Sequence, residues 1–305
     1  MTGRGPAVTV GVPVWNGERY LAEALTALQE QELENIQVVV SDNGSTDGTL
    51  EIARSFAAED DRFTVLTTEV NRGVTWNFNR VLHAADAPLF MWNAADDLVR
   101  PGHLVSCRSA LDSHPDATIA FSRVVLIGAD GERLGERDDE DLDFMSLGPV
   151  ERLHEFFVRQ AYQVIGYGGV FRSDVLRSMG GHPDFYGGDM ALAVRMALRA
   201  PWIQVPDQLF WARNHEEQTN KLQASDPVRQ TRAYREHRRR LAFPQWYLNH
   251  RLLAEAVLAP LPAAERARAV RVVLRDWTVE NWRFFPYDLK RNAQLVRRGA
   301  GRSPA

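Results

Sequence analysis

Along the first 130 residues, short apolar runs alternate with longer stretches in which apolar positions recur every three or four residues. "AVTVGVPV" (7–14) and "IQVVVSD" (36–42) are near-continuous apolar runs and predict strands buried on both faces. Between them, "GERYLAEALTALQEQ" (17–31) places Tyr20, Leu21, Ala24, Leu25 and Leu28 on one helical stripe. "TDGTLEIARSFAAE" predicts the next helix, with Thr46 or Asp47 as its N-cap. The pattern repeats through "FTVLTT" (63–68), "GVTWNFNRVLHAA" (73–85) and "APLFMWN" (87–93), and "PGHLVSCRSALDSHP" follows as a helix with Pro101 in its first turn.

Strands and helices alternating at this rhythm predict an α/β domain with a doubly wound, mostly parallel sheet. Beyond residue 117 the order loosens. "ATIAFSRVVLIG" predicts a long strand or strand pair, "ADGERLGERDDEDLD" a charged loop, and "PVERLHEFFVRQA" a helix. "YQVIGYGGVFRS" reads as a strand, followed by helices near 174–179 and 189–199. The last 80 residues read as helical, rich in Arg and Trp.

Charge sharpens the domain picture. Residues 1–225 carry 19 Lys and Arg against 33 Asp and Glu, a net −14, whereas residues 226–305 carry 17 against 7, a net +10. The expected division is an acidic unit over 1–225, with one half to about 115 and a second over 116–225. A basic, aromatic-rich helical region over 226–305 follows. The one cysteine, Cys107, excludes an internal disulfide and a cysteine-based metal site. Together with the lack of a signal-like start or an apolar run of about 18 residues, it leads us to expect a cytoplasmic protein.

In doubly wound sheets, ligands bind beyond the carboxyl ends of the strands. Those ends carry Val14-Trp15-Asn16, Ser41-Asp42-Asn43, and Asn93 through Asp97, three polar clusters pointing to one shared site. The first strand is followed by "WNGERYL" rather than G-x-G-x-x-G, and no G-x-x-x-x-G-K-[ST] occurs. Dinucleotide-dependent dehydrogenases and P-loop enzymes are thereby disfavoured. Carboxylates and amides at strand ends suit a base or ribose contact plus a divalent cation on phosphates.

Four segments, "VTVGVPVWNGERYLAEALTALQEQ", "VVVSDNGSTDGTLEIA", "NRGVTWNFNRVLHAADAPLFMWNAADDLVRPGHL" and "GGHPDFYGGDMALAVRMA", occur in the order and spacing of glycosyltransferase family 2. The resemblance covers roughly residues 7–215 and implies a GT-A-like fold. It also implies inverting transfer of a sugar from a nucleoside-diphosphate sugar, expected to be a UDP-sugar, to an acceptor hydroxyl, and a divalent cation, Mg²⁺ or Mn²⁺. The acceptor class stays open between a saccharide, a lipid-linked and a small molecule. The resemblance assigns the donor nucleotide to Pro13, Val14, Asn16, Glu18 and Asp42, and a basic donor contact to Arg72. Asp42 also fits a simple turn, and Arg72 a solvated surface arginine.

Counting back from Pro101, the family's Asp-x-Asp pattern places its second aspartate, a metal ligand, on Asp96. Asp97 follows as a donor-site neighbour, while Ala94 occupies the first aspartate's place. The alternative for Asp96 is an acidic turn leading a helix. The general base falls on Asp189, preceded by Gly188 where the family usually has Glu; its alternative is an N-cap. "RNHEEQTN" aligns Arg213 with a phosphate contact and His215 with a third metal ligand, His215 alternatively being an outer-sphere histidine.

The losses at Ala94 and Gly188 leave a non-catalytic sugar-nucleotide or partner-binding protein as one alternative. A nucleotidyltransferase releasing pyrophosphate is another. The basic, aromatic tail suits helices packed on the acidic catalytic unit, a contact between copies of the chain, or peripheral contact with the inner face of a membrane. Nucleic acid is not an expected partner, because no recognition motif accompanies the charge.

Overall fold

The computed structural model describes residues 5–136, 142–159, 168–216 and 243–300. Its first half follows the hydrophobic pattern closely: β1 (Val8–Val14), α1 (Leu21–Gln29), β2 (Ile36–Asp42), α2 (Thr49–Glu59), β3 (Phe63–Thr67), α3 (Val74–His83) and β4 (Leu89–Trp92). Next come β5 (Leu98–Val99), α4 (His103–Ser113), β6 (Ile119–Ile127), β7 (Arg133–Glu136), α5 (Pro149–Val158), β8 (Val170–Arg172), α6 (Ser173–Ser178), α7 (Gly188–Ala197) and β9 (Trp202–Arg213). Three helices end the described residues: α8 (Pro244–Val257), α9 (Ala263–Val272) and α10 (Phe285–Ala300). A wide π-turn over Val273–Val279 and a short 3₁₀ turn over Trp282–Phe284 join the last two.

Among the described residues nine strands form one sheet, in the order β3-β2-β1-β4-β8-β6-β9-β5, with β7 pairing on β6. The β3-β2-β1-β4 block is parallel. β8 then runs antiparallel to both β4 and β6, and β9 returns parallel to β6. Val8, Val10 and Val12 of β1 are fully buried, as their unbroken apolar run requires. One core, carrying Leu21, Leu25 and Leu104, covers one face of the sheet. A second, carrying Val81, Phe156 and Val194, covers the other.

Helix α3 sits tightly on β1, because Gly11 leaves the space that Val81 and Phe90 fill. A buried polar pair fixes its rotation. The Ser41 hydroxyl donates to Asn77 Oδ1 at 2.6 Å, and Asn77 Nδ2 donates to the Ser41 carbonyl at 2.8 Å.

The structure departs from the pattern in the second half. The charged stretch expected to be loop contains β7, held antiparallel to β6. The twelve-residue β9 was not predicted, because its "VPDQ" centre interrupts the apolar pattern, and its pairing with β6 shifts register there. Of the strand expected in "YQVIGYGGVFRS", the described part is β8. The expected boundary near residue 225 lies outside the described residues.

The C-terminal helices join the second core through Leu248, Leu252, Ala269 and Val273, packed with α5 and α7. Trp277 lies on Phe157, with ring centroids 6.0 Å apart. The principal polar tie is the Arg195–Glu255 pair, a bidentate contact at 2.9 and 2.6 Å between α7 and α8. Arg195 also donates to the Met179 carbonyl. Removing one member of a buried pair strands the other charge, at a cost of about 3–5 kcal/mol. We therefore expect Glu255→Ala to lower unfolding stability by that order in a denaturant titration. An apolar double replacement, Arg195→Met with Glu255→Leu, should recover much of it. Equal stability of the single variant and the wild type would show that the tail is not anchored through this pair.

Candidate active site

The carboxyl ends of β1, β2 and β4 converge as the pattern required. Pro13 and Val14 form the buried end of β1, and the Val14 carbonyl receives the Asn43 N–H at 2.9 Å, carrying the β1–β2 pairing one step past the strands. Asn16, held at φ 52°, takes the Thr46 N–H on Oδ1 at 2.9 Å, while its own N–H donates to Ser45 Oγ at 2.9 Å. Glu18 Oε2 receives the Gly48 N–H at 2.7 Å. Asn16 and Glu18 thus bind the β1–α1 loop to the β2–α2 loop. Asp47 accepts the Thr49 N–H at 3.1 Å just ahead of α2, whose N-cap is Gly48 rather than the expected Thr46 or Asp47, because the chain turns into the helix one residue later.

Asp42 is buried at the end of β2, where its carboxylate receives the Ser45 N–H at 3.2 Å and the Thr67 hydroxyl at 3.4 Å. Gly44, at φ +73°, fits the turn because a side chain there would collide with the Val70 backbone. Asn43 ties this turn to the next loop. Its Oδ1 accepts the Arg72 N–H at 3.0 Å, and its Nδ2 donates to Asn71 Oδ1 and the Gly73 carbonyl.

Arg72 is exposed, with its guanidinium 4.5 Å from the Trp76 ring centroid. Arg80 approaches the same ring at 5.0 Å and donates to the Thr67 carbonyl at 2.9 Å. Burial, then the Arg72 charge, lower the Arg80 pKa, while Asp42 opposes them. Asp42, Arg72, Trp76 and Arg80 therefore share one corner. Sequence reasoning missed Trp76 and Arg80, although their i, i+4 spacing on one face of α3 was a usable signal.

The second cluster exists because β5 pairs antiparallel with β9, matching Leu98 to Trp211 and Val99 to Phe210. This pairing brings the Asp96-Asp97 dipeptide beside Arg213 and His215. Asp97 is buried, and its Oδ1 accepts the Arg213 N–H at 2.8 Å. Burial, and then the Asp96 charge, push its pKa well above the usual carboxylate value.

Arg213 is also buried. It donates to Glu23 at 2.6 Å, to the Asp96 carbonyl at 2.9 Å and to the Ala129 carbonyl at 3.0 Å, and stacks over Tyr20 at 4.7 Å. Asp97 and Arg213, expected to touch donor, thus hold the strand ends together. Their donors and acceptors face inward.

Asp96 remains partly exposed, with Oδ2 2.9 Å from His215 Nε2. His215 is otherwise buried against the Tyr20 ring at 4.7 Å, and its Nδ1 has no hydrogen-bond partner among the described residues. Two ligands with bonds of about 2.1 Å at right angles around one octahedral cation lie about 3 Å apart, so this oxygen–nitrogen pair has the spacing of adjacent ligands. Among the described residues no group of three or more His, Cys, Asp or Glu side chains forms a metal cage. The pair therefore fits an ion that takes its remaining ligands from phosphate and water, as Mg²⁺ and Mn²⁺ do.

Asp189 lies in the first turn of α7, half-buried. It does not cap the helix, and its carboxylate makes no hydrogen bond among the described residues. Its neighbours are His182 and Tyr186. Burial lowers the His182 pKa, which Asp189 opposes; burial raises that of Tyr186, and Asp189 adds to it. The loop carrying these residues is fixed by Asn79 of α3, whose side chain accepts the His182 N–H and donates to the His182 carbonyl, both at 2.8 Å. The helix carrying Trp76 and Arg80 thus also anchors the loop in front of Asp189.

Known proteins share the family pattern and the fold. Residues 9–179 match Glycosyl transferase family 2. Two Bacillus subtilis (strain 168) proteins named as glycosyltransferases align with the chain. EpsH is 30% identical over 137 residues, 45% of this chain and 38% of its own length. EpsE is 32% identical over 130 residues, 42% of this chain and 47% of its own. The aligned stretch thus spans less than half of either relative.

Among solved structures, S. aureus TarS 1–349 in complex with UDP-GlcNAc superposes with a TM-score of 0.68 at 17% identity, covering 95% of this chain and 81% of that one. The Pyrobaculum calidifontis mannosyltransferase PcManGT, in complex with GDP-Man and Mn²⁺, gives 0.56 at 19% identity, covering 99% and 77%. With the family matched over more than half of its residues and its sheet shared with these enzymes, this chain belongs to glycosyltransferase family 2 and has the GT-A-like fold.

Proposed function

We propose that this protein transfers a sugar from a nucleoside-diphosphate sugar to an acceptor hydroxyl with inversion at the anomeric carbon. The observation that carries the reading is the Asp96–His215 pair, 2.9 Å apart at the sheet's carboxyl edge. Asp42, at the end of β2, supplies a buried carboxylate for the imide N–H of a uracil. Arg72, braced on Trp76, faces solvent with its donors available to a diphosphate. UDP is the favoured nucleotide because TarS, whose fold this chain shares, is complexed with UDP and UDP-GlcNAc.

In the proposed reaction the acceptor oxygen attacks the anomeric carbon as the bond to the diphosphate breaks, and Asp189 takes the hydroxyl proton. A divalent cation held by Asp96 and His215 would neutralise charge on the departing diphosphate. Asp189 suits its role because its carboxylate is neither consumed by a cap nor paired with a cation among the described residues. The acceptor is a hydroxyl of a saccharide, lipid-linked or small-molecule substrate.

Thermal unfolding with UDP, GDP, TDP and CMP, with and without Mn²⁺, tests donor binding. A ligand at a hundred times its Kd stabilises the folded state by about 2.7 kcal/mol. We expect UDP with Mn²⁺ to raise Tm most, and Asp96→Asn to abolish the Mn²⁺-dependent part. No metal-dependent shift with any of the four nucleotides would sink the donor-site assignment. Asp189→Asn should retain the nucleotide shift while kcat falls by about 10² to 10⁴-fold. Full transfer by that variant would remove Asp189 from the mechanism.

Gly188 accounts for the family's missing glutamate. A Cβ at this position would run into the Pro183 carbonyl oxygen, closer than Cβ atoms approach in real proteins. The loop before Asp189 is therefore shaped for glycine. Gly188→Ala should lose about 1–3 kcal/mol in chemical denaturation, a cost typical of overpacking. An unchanged midpoint would show that the loop accommodates a side chain there.

A further inference from the structure

The loop that leads into α7 carries a second chemical group beside Asp189. His182 follows Gly180 and Gly181, both at positive φ, and its backbone N–H and carbonyl are gripped by the Asn79 amide. A Cβ on Gly181 would run into Asn79 Oδ1, so this glycine is what lets α3 hold the loop so closely. The half-buried His182 ring packs on Phe78 at 5.3 Å and meets Trp92 edge-on at 6.3 Å. Trp92 ends β4, four positions before Asp96, and its indole N–H donates to the Phe78 carbonyl at 2.9 Å. His182 therefore touches the strand that leads to Asp96 and lies within electrostatic reach of Asp189.

Hydrogen bonding fixes which of its nitrogens is free. Nδ1 lies 3.0 Å from the Pro183 carbonyl oxygen, which only accepts, so in the neutral ring Nδ1 carries the proton and Nε2 the lone pair. Nε2 makes no hydrogen bond among the described residues, and it is open to solvent rather than sealed in the core. Burial lowers the His182 pKa, while Asp189, the Pro183 carbonyl and Asp184 oppose it, and the ring stays neutral at pH 7. A protonated ring would pair with Asp189 and occupy its carboxylate. A neutral one leaves the carboxylate free.

A bare Nε2 and a carboxylate are both acceptors, and neighbouring acceptors cannot satisfy each other. A ligand that brings a hydroxyl donor to each would stabilise both. Aliphatic or singly hydroxylated ligands supply at most one.

We propose that His182 Nε2 accepts a hydrogen bond from an acceptor hydroxyl adjacent to the one that Asp189 deprotonates, so that the site selects a saccharide bearing two neighbouring hydroxyls. The reacting oxygen is held through the proton it shares with Asp189, and its neighbour through His182, which together fix the acceptor's rotation about the line of attack. His182 binds and orients, and proton transfer stays with Asp189. This inference rests on the transferase reading and on Asp189 as its base.

His182→Phe keeps an aromatic ring against Phe78 and Trp92 and removes both nitrogens, whereas His182→Gln returns an acceptor oxygen near the place of Nε2. Thermal unfolding with UDP and Mn²⁺ should show the wild-type nucleotide shift in both variants. Transfer from UDP-GlcNAc is followed by UDP release, with methyl glycosides of glucose, galactose, mannose and N-acetylglucosamine as acceptor probes. For the glycoside that the wild type uses, we expect His182→Phe to raise KM about tenfold, the size of one neutral hydrogen bond, with kcat changed far less. His182→Gln should recover most of that loss. Deoxy analogues lacking the hydroxyl next to the reacting one should be poor acceptors for the wild type, yet no worse than the parent glycoside for His182→Phe.

An unchanged KM in His182→Phe would overturn the inference, as would a Gln variant no better than the Phe variant. Loss of the UDP shift in His182→Phe would overturn it too, assigning His182 to the donor. A wild type that shows the UDP shift but uses none of the four glycosides would overturn the saccharide assignment and leave the donor site standing. No UDP shift in the wild type would remove the transferase reading, and this inference with it.

Discussion

The antiparallel pairing of β5 with β9 is the constraint on which the site depends. β5 is two residues long, and β9 arrives from more than a hundred residues later in the chain. Their pairing sets Asp96-Asp97 against Arg213-Ala212, and a short strand of this kind is a weak tether by itself. Buried charge supplies the rest. Arg213 fills its donors with Glu23 and backbone carbonyls, and its backbone N–H is taken by Asp97. A buried cation and a buried carboxyl are tolerated only when their partners are complete, so any slip of β9 would strand both. The alignment of His215 with Asp96 follows from that penalty.

The same network explains why two adjacent aspartates do different things. Backbone geometry turns Asp97 inward, where burial and the neighbouring Asp96 charge favour its protonated form. Asp96 keeps partial solvent access. Sequence register separated the pair only by family spacing. Both the inward role of Asp97 and the complete enclosure of Arg213 were illegible, because Glu23 lies 190 residues from Arg213 and no local pattern links them.

What the sequence disclosed is what short-range physics controls. Continuous apolar runs gave β1 and β2, helical stripes gave α1 and α3, and strand ends marked the polar clusters. The turn holding Asp42 was readable from its glycine and amides, whereas Asn43's hydrogen bonds to the Arg72 loop were not. β9 escaped because a strand that shifts register at a polar interruption shows neither alternation nor a continuous apolar run. The bridge from Asn79 to His182 spans 103 residues, beyond the reach of any local pattern.

That bridge bears on how the two halves of the fold act together. Helix α3 is clamped to the sheet by Asn77 and Ser41, stacks Arg72 and Arg80 about Trp76, and grips the loop before Asp189 through Asn79. Groups assigned to donor and acceptor therefore hang on one rigid element rather than on independent loops. In the proposed transfer, the distance from the base to the anomeric carbon is then fixed chiefly by how α3 sits on β1. That packing depends on Gly11, which admits Val81 and Phe90 where any larger residue would lift the helix. A glycine in the middle of a buried strand, unremarkable beside the charged residues, thus sets the spacing on which the chemistry relies.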